Sequence, residues 1–362
     1  MTLLGLHHIS IGCKNAQHTV DFYTNILGQR FVKKTVNFDD PSTYHLYFGN
    51  HQGDPGSAIT FFEWPLAVKG HRGIGGTHHF ALRIPTYDGL LKWKRRLLDL
   101  GLKVSGPLDR HYFVSIYFTD PDGTIVEIAT DGPGFTQDEP ASTLGTQHQP
   151  PPPQMLIANR DEKQISAEIW QFPTPNITQD MALLNGFHHI TAICSDVRRT
   201  DAFFQELLGL RRVKMTDNFD DPNSAHWYWG VGEGNPGSLI TYFEQDLASN
   251  SRARHGVGQT HHYAFRVANK EIQLEWREKL LSAGLQVSPV MDRNYFNSIY
   301  TNDPDGHVVE IATDTPGFMV DESEAELGQS LKLPSQFEAH REQIESTLTQ
   351  INVTPWQFPG KS

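Results

Sequence analysis

Cysteine is nearly absent from this sequence: Cys13 and Cys194 are the only two among 362 residues, too few for a disulfide framework. Runs of lysine or arginine are missing as well, and the formal net charge is -12. That leaves no electrostatic footprint for nucleic acid or an anionic membrane, and neither is expected as a partner. No uninterrupted apolar stretch approaches the roughly 20 residues that span a bilayer. The opening MTLLGLHHIS has neither the basic start nor the apolar core of a signal peptide. A soluble, cytoplasmic protein is the expectation. With 38% hydrophobic and 20% charged residues, the chain holds enough apolar material for two cores rather than one.

What the sequence does have is a repeat. GLHHISIGC at Gly5 to Cys13 returns as GFHHITAIC at Gly186 to Cys194, and NFDDPSTYHLYFG from Asn37 returns as NFDDPNSAHWYWG from Asn218. In the same register THHFALR from Thr77 matches THHYAFR from Thr260. DRHYFVSIYFTDPDGTIVEIATDGPGF from Asp109 matches DRNYFNSIYTNDPDGHVVEIATDTPGF from Asp292. A period of about 180 residues lies far above the solenoid range, so the chain is a duplication. The reading is two domains, residues 4–135 and 185–318, with a linker arm at 136–184 and a C-terminal arm at 319–362. Each arm carries WQFP, at Trp170 and Trp356, and a short helical stretch: Arg160 to Glu168 in the first, and Phe337, Ile344 and Leu348 at helical spacing in the second. Each arm is expected to pack on its own domain.

Within one half, GLHHISIGC alternates like a strand. HTVDFYTNIL has the helical spacing of Val20, Tyr23 and Leu27 and stops at Gly28. RFVKKTVNF, TYHLYFG and GSAITFFEW are short β-rich runs. The order recurs from His78, with the helix GLLKWKRRLLDLG and later runs around the turn signal DPDG. Four βαβββ modules of an α+β fold result. Successive strand residues point to opposite faces, so one His of each doublet is expected on the concave face. Parity groups His8 with Ser10 and Gly12, and His7 with Ile9, Ile11 and Cys13, which gives the second His of each doublet the small, polar side. Cys13 and Cys194 read as small core residues. A lone strand histidine is usually a hydrogen-bonded core residue, but four doublets at matched positions favour metal ligation. Glu127 and Glu310 lie in apolar strands, where an unpaired carboxylate is costly to bury and a divalent cation removes that cost. Two imidazoles and one carboxylate leave three positions of an octahedron open, the arrangement that non-haem Fe(II) oxygenases use.

This module, with a His on its first strand and DPDG followed by a Glu on its last, resembles the vicinal oxygen chelate superfamily of glyoxalase I, fosfomycin-resistance proteins and extradiol dioxygenases. The resemblance implies modules paired into two vicinal-oxygen-chelate domains, each a curved sheet cupping a metal. Spacing leaves two pairings open. Sequential pairing gives His8, His79 and Glu127 in one cup and His189, His262 and Glu310 in the other; crossed pairing gives His8, His262 and Glu310, and separately His79, Glu127 and His189. Within the superfamily the chain is most similar to the hydroquinone ring-cleaving dioxygenases. That resemblance implies crossed pairing, a working ion at His8, His262 and Glu310, and His7, Ser10, His261, Arg293 and Tyr300 around it. Ser10 stands where a threonine is commoner. The resemblance also implies Fe(II), with Mn(II) as the alternative, and a small aromatic substrate with dioxygen; a homo-oligomer stays open. His261 is read as a proton acceptor, and Arg293 and Tyr300 as stabilisers of developing charge. The mirror set His79, Glu127 and His189, with Arg110 and Tyr117 beside it, is intact too, although the resemblance implies one active centre; it either binds a second ion or, the preferred reading from the sequence, is satisfied by hydrogen bonds. Rival readings are a metal-dependent glyoxalase or fosfomycin-resistance-type lyase or transferase, and a non-catalytic protein that sequesters a ligand.

Overall fold

Four modules follow one another along the chain, each a strand, a helix and three more strands. The first holds β1 (Leu6–Cys13), α1 (Ala16–Val20), β2 (Arg30–Val36), β3 (Tyr44–Gly49) and β4 (Ala58–Glu63). The second holds β5 (Gly76–Ile84), α2 (Tyr87–Asp99), β6 (Ser105–Asp109), β7 (Val114–Thr119) and β8 (Ile125–Thr130), and the linker arm then adds α3 (Glu162–Ala167). The third holds β9 (Phe187–Cys194), α4 (Val197–Asp201), β10 (Arg211–Asn218), β11 (Asp221–Gly230) and β12 (Leu239–Glu244). The fourth holds β13 (Thr260–Val267), α5 (Lys270–Ser282), β14 (Met291–Asp292), β15 (Phe296–Asn302) and β16 (Val308–Pro316), with α6 (Arg341–Thr347) in the C-terminal arm. This computed structural model describes residues 1–360; Lys361 and Ser362, the last two of the C-terminal arm, lie outside the described residues. No helix among the described residues is long and apolar enough to cross a membrane.

The local chemistry of each element follows its sequence. Thr86 caps α2 by accepting from the Gly89 amide, and Leu90, Trp93 and Leu97 form the buried stripe of that helix. The helix expected over residues 18–27 is α-helical only in its first part. α1 and α4 both run on as π-helical turns, Asp21–Ile26 and Ala202–Leu207, in which the Leu27 amide reaches back five residues to the Phe22 carbonyl. Gly28, at φ +72°, closes the first of these in the left-handed region.

The strands assemble into two curled eight-stranded sheets. One has the order β14-β15-β16-β13-β1-β4-β3-β2 and the other β10-β11-β12-β9-β5-β8-β7-β6. The pairing of modules is therefore crossed, one with four and two with three. β1 joins β13 antiparallel, and β5 joins β9 in the same way. The helices cover one face of each sheet, and a single apolar cluster runs from Ile9, Phe61 and Tyr263 of the first sheet to Phe80, Ile190 and Tyr242 of the second, taking in Trp93 and Trp276. Cys13 and Cys194 are buried within it, free and unpaired with each other.

The arms depart from expectation because of the crossing. The linker arm lies on the second sheet and touches both of its modules: Ile165 and Ser166 accept from Lys94 Nζ of α2, while Ile157 donates to the Phe219 carbonyl beyond β10. The C-terminal arm returns to the first module, where Leu331 bridges Lys34 and Tyr44 donates to the Thr349 carbonyl. Neither arm rests on its own sequence half alone. A buried lysine anchors each arm: Lys33 holds Asp321 and Glu322, and Lys214 holds Asp138 and Glu139.

Candidate metal centre

The register between β1 and β13 explains how each doublet works. Leu6 faces Phe265 and His8 faces Ala264, so β1 advances two residues where β13 advances one; Ser10 faces His262 and Ile11 faces Thr260, so β13 then advances two where β1 advances one. His7 and His261 are the extra residues of two β-bulges, and the β5–β9 joint has the same irregularity at His78 and His188. A bulge re-aims a side chain, and here the first His of each doublet turns toward the second. His7 Nδ1 lies 2.9 Å from His8 Nδ1, and His261 Nδ1 lies 2.7 Å from His262 Nδ1. The strand parity expected of His7 is thus overturned: its ring sits 5.0 Å from that of Phe296 rather than among Ile9, Ile11 and Cys13.

Crossed pairing brings His8, His262 and Glu310 together. His8 Nε2 and His262 Nε2 are 3.2 Å apart, and they lie 3.2 and 2.9 Å from Glu310 Oε2. Three donors at right angles about an ion roughly 2.1 Å away stand about 3.0 Å from one another, so the spacing fits one octahedral face. All three residues are buried, and Glu310 Oε2 accepts no hydrogen bond, while its other oxygen takes the Ser298 hydroxyl. A divalent cation satisfies that orphaned oxygen. Burial alone would push the Glu310 carboxyl up, but the His8 and His262 imidazoles beside it hold it well below the usual carboxylate range. Burial also lowers the His262 pKa, which favours the neutral imidazole that can offer a lone pair.

The bulges also set the tautomers. His7 Nε2 is 3.2 Å from the Thr313 carbonyl, which can only accept, so His7 carries its hydrogen there and its Nδ1 accepts from His8. His8 Nε2 is left with its lone pair facing His262 and Glu310. If His262 likewise offers Nε2, its Nδ1–H donates to His261 Nδ1, and the outer nitrogen of His261 carries a hydrogen. In that tautomer His261 presents a hydrogen-bond donor through its outer nitrogen. Burial, helped by His262, lowers its pKa to about 3, which keeps the ring neutral.

A cavity of about 360 Å³ opens on this triad. Its aromatic walls are Phe38, Phe62, Trp64 and Phe296, with Phe62 and Trp64 stacked at 5.8 Å. Ser10, His261, Arg293 and Tyr300 all line it, whereas His7 stands behind His8. Tyr300 OH accepts from Arg293 Nε at 3.3 Å; burial and Glu310 push its hydroxyl pKa up, so it stays protonated. Seven further residues went unnoticed in the sequence: the four aromatic walls, and Thr60, His45 and Tyr47, which form a chain with Ser10. Ser10 Oγ meets Thr60 Oγ1 at 2.8 Å, Thr60 meets His45 Nε2 at 3.0 Å, and His45 Nδ1 meets Tyr47 OH at 3.0 Å. The signal for His45 and Tyr47 was present, since TYHLYFG repeats as SAHWYWG with His226 and Tyr228 in step.

The second joint assembles His79, Glu127 and His189 in the same manner, with His79 Nε2 2.8 Å and His189 Nε2 3.3 Å from Glu127 Oε2. Arg110 and Tyr117 stand beside it as Arg293 and Tyr300 stand beside the first.

A family model described as Glyoxalase/Bleomycin resistance protein/Dioxygenase superfamily matches residues 5–128 and 186–311. MhqO of Bacillus subtilis, provisionally named a ring-cleaving dioxygenase, is 35% identical over 350 residues, 97% of each chain. The chlorohydroquinone/hydroquinone 1,2-dioxygenase of Sphingobium indicum is 30% identical over 95% of each chain. Among solved structures, one from Bacillus subtilis, provisionally named a dioxygenase, superposes with a TM-score of 0.78 at 32% identity, covering 98% of this chain and 99% of its own. Glyoxalase I from Zea mays shares the fold alone, with a TM-score of 0.56 at 14% identity over 86% of this chain and 92% of its own. The duplicated family match, the full-length relatives and the crossed His–His–Glu cups agree: this chain belongs to the glyoxalase/bleomycin resistance protein/dioxygenase superfamily.

Proposed function

We propose that this chain is a ring-cleaving dioxygenase of the extradiol type, which opens a hydroquinone-like aromatic with dioxygen at a mononuclear Fe(II) held by His8, His262 and Glu310, with Mn(II) as the alternative ion. The observation that carries the reading is a buried His–His–carboxylate face opening into an aromatic-walled cavity of about 360 Å³. Relatives along the whole chain that bear ring-cleaving dioxygenase names support it. The fold does not decide the chemistry, because glyoxalase I has it too.

When bound, the ion supplies a Lewis acid with open positions at which one substrate hydroxyl and dioxygen meet. The protein supplies the rest. Phe38, Phe62, Trp64 and Phe296 hold the ring by its faces and exclude water. The His261 Nε2–H and the Tyr300 hydroxyl are two neutral donors in the cavity, suited to hydrogen-bonding oxygen atoms as they gain charge and to returning a proton to the opened product. Arg293 fixes the Tyr300 hydroxyl and brings a positive charge that no direct ion pair among the described residues holds. The Ser10–Thr60–His45–Tyr47 chain can reorient its hydroxyl hydrogens without breaking contact, so it can accept or deliver a hydrogen bond at the edge of the ring. His7, out of substrate reach, holds the His8 tautomer and is a positioning residue.

A para-hydroquinone offers a single hydroxyl to one ion, whereas a catechol offers two. Protein loaded anaerobically with Fe(II) should therefore consume oxygen with substituted hydroquinones in an oxygen electrode, and catechols should be poor substrates or inhibitors. Catechol turnover well above that of every hydroquinone tried would reject the substrate class.

A further inference from the structure

We propose that the chain holds a second divalent cation, at His79, His189 and Glu127, and that this ion is structural, in a cup closed by the linker arm. The three donor atoms reproduce the spacing of the first centre, at 2.8, 3.3 and 3.3 Å. Glu127 is fully buried; one carboxylate oxygen takes the Ser115 hydroxyl, and Oε2 accepts no hydrogen bond.

Hydrogen bonding alone does not satisfy this cluster. His189 Nδ1 lies 2.9 Å from His188 Nδ1, and His188 is itself bonded to the Thr130 backbone. As at His7, the carbonyl fixes the hydrogen on the outer nitrogen of His188, so His189 must donate through Nδ1. His189 Nε2 is then a bare lone pair facing Glu127 Oε2 and His79 Nε2, each at 3.3 Å. A lone pair set against a carboxylate oxygen in a dry interior is repulsive. A cation between them makes both contacts attractive.

What differs is the mouth of the cup. Arg110 pairs with Asp220 at 2.9 Å, and Asp220 pairs with Arg160 of the linker arm at 2.5 Å. Arg293 has no ion pair among the described residues, and Arg341 of the other arm pairs with Glu338 and Glu345 instead. Phe219, the counterpart of Phe38, is buried where Ile157 of the linker arm bonds its carbonyl. Gln245 takes the place of Trp64. The charge that faces substrate in the first cup is neutralised in the second, and the arm lies across it.

The test counts metal. Apo-protein loaded with Mn(II) and desalted should retain two equivalents per chain. Glu127→Gln and Glu310→Gln should each retain one and the double variant none. Bound metal stabilises the folded state, so Glu127→Gln should also melt lower while its hydroquinone-dependent oxygen uptake is unchanged. His189→Asn serves if Glu127→Gln does not fold. One equivalent in the wild type, or two in Glu127→Gln, overturns the site. Loss of turnover in Glu127→Gln with the first ion retained overturns the structural role. Two ions in a wild type that consumes no oxygen would support this proposal and fault the ring-cleavage reading alone.

Discussion

At the scale of single residues, the histidine doublets and the embedded glutamates were legible because they recur at matched positions, and a carboxylate in an apolar strand needs a reason. What strict alternation could not reveal is that His7 and His261 are bulge residues, because a bulge depends on the partner strand and leaves no mark in period-two spacing. The bulge gives His7 a test of its own. His7→Phe removes the acceptor for His8 Nδ1–H and the bond to Thr313 but no ligand, so metal affinity should fall by about tenfold to a hundredfold while a full equivalent still binds at saturation. Calorimetric titration with Mn(II) measures it, and unchanged affinity would show that the His8 tautomer needs no support. Tyr300 offers the complementary case. Tyr300→Phe should keep its bound metal by elemental analysis and lose turnover by roughly a hundredfold to ten-thousandfold, since a proton donor is removed and not a ligand.

At the scale of elements, the DPDG segments, turn signals in the sequence, have a second use in the structure. Asp122 accepts from the Lys14 amide after β1, and Asp305 from Ser195 after β9, so each turn pins the module beside it across the two sheets. Asp120 is buried beneath its turn and accepts from the Asp122 and Thr124 amides. Burial raises its carboxyl pKa to about 6 despite those bonds. Because the folded value lies above the unfolded one, the folded state holds a proton that the unfolded chain has released. That contribution is complete below about pH 4 and is lost as pH rises through about 6. Asp120→Asn cannot ionise, so its stability relative to wild type should rise between pH 4 and pH 7 by up to about 3 kcal/mol. Urea titrations across that range measure the difference, and a constant gap would contradict it. The arm anchors invite a similar comparison. Glu322→Gln strips one of two carboxylates from the fully buried Lys33 and leaves Asp321, so urea titration should show a loss smaller than the about 3–5 kcal/mol of a buried charge left unpaired.

At the scale of the whole molecule, the duplication was plain, but the pairing of modules was not, because both joints use strands of the same sequence pattern. Crossing explains why the arms sit where they do and why each cup takes ligands from both halves. Separately expressed halves should each fail to form the first centre and should regain it when mixed with Fe(II). An active C-terminal half would contradict the crossed set. The central claim is that both atoms of dioxygen enter an opened ring, and it is tested most directly by turnover under isotopically labelled dioxygen. Hydroquinones also oxidise to quinones, which consumes oxygen without incorporating it. Cleavage between a hydroxyl-bearing carbon and its neighbour leaves a carboxylate and an aldehyde, so the product is trapped with borohydride before the aldehyde oxygen exchanges. The account predicts a ring-opened product carrying both labelled atoms, formed by the wild type and not by Glu310→Ala; an unlabelled quinone, or labelled product from Glu310→Ala, would contradict it.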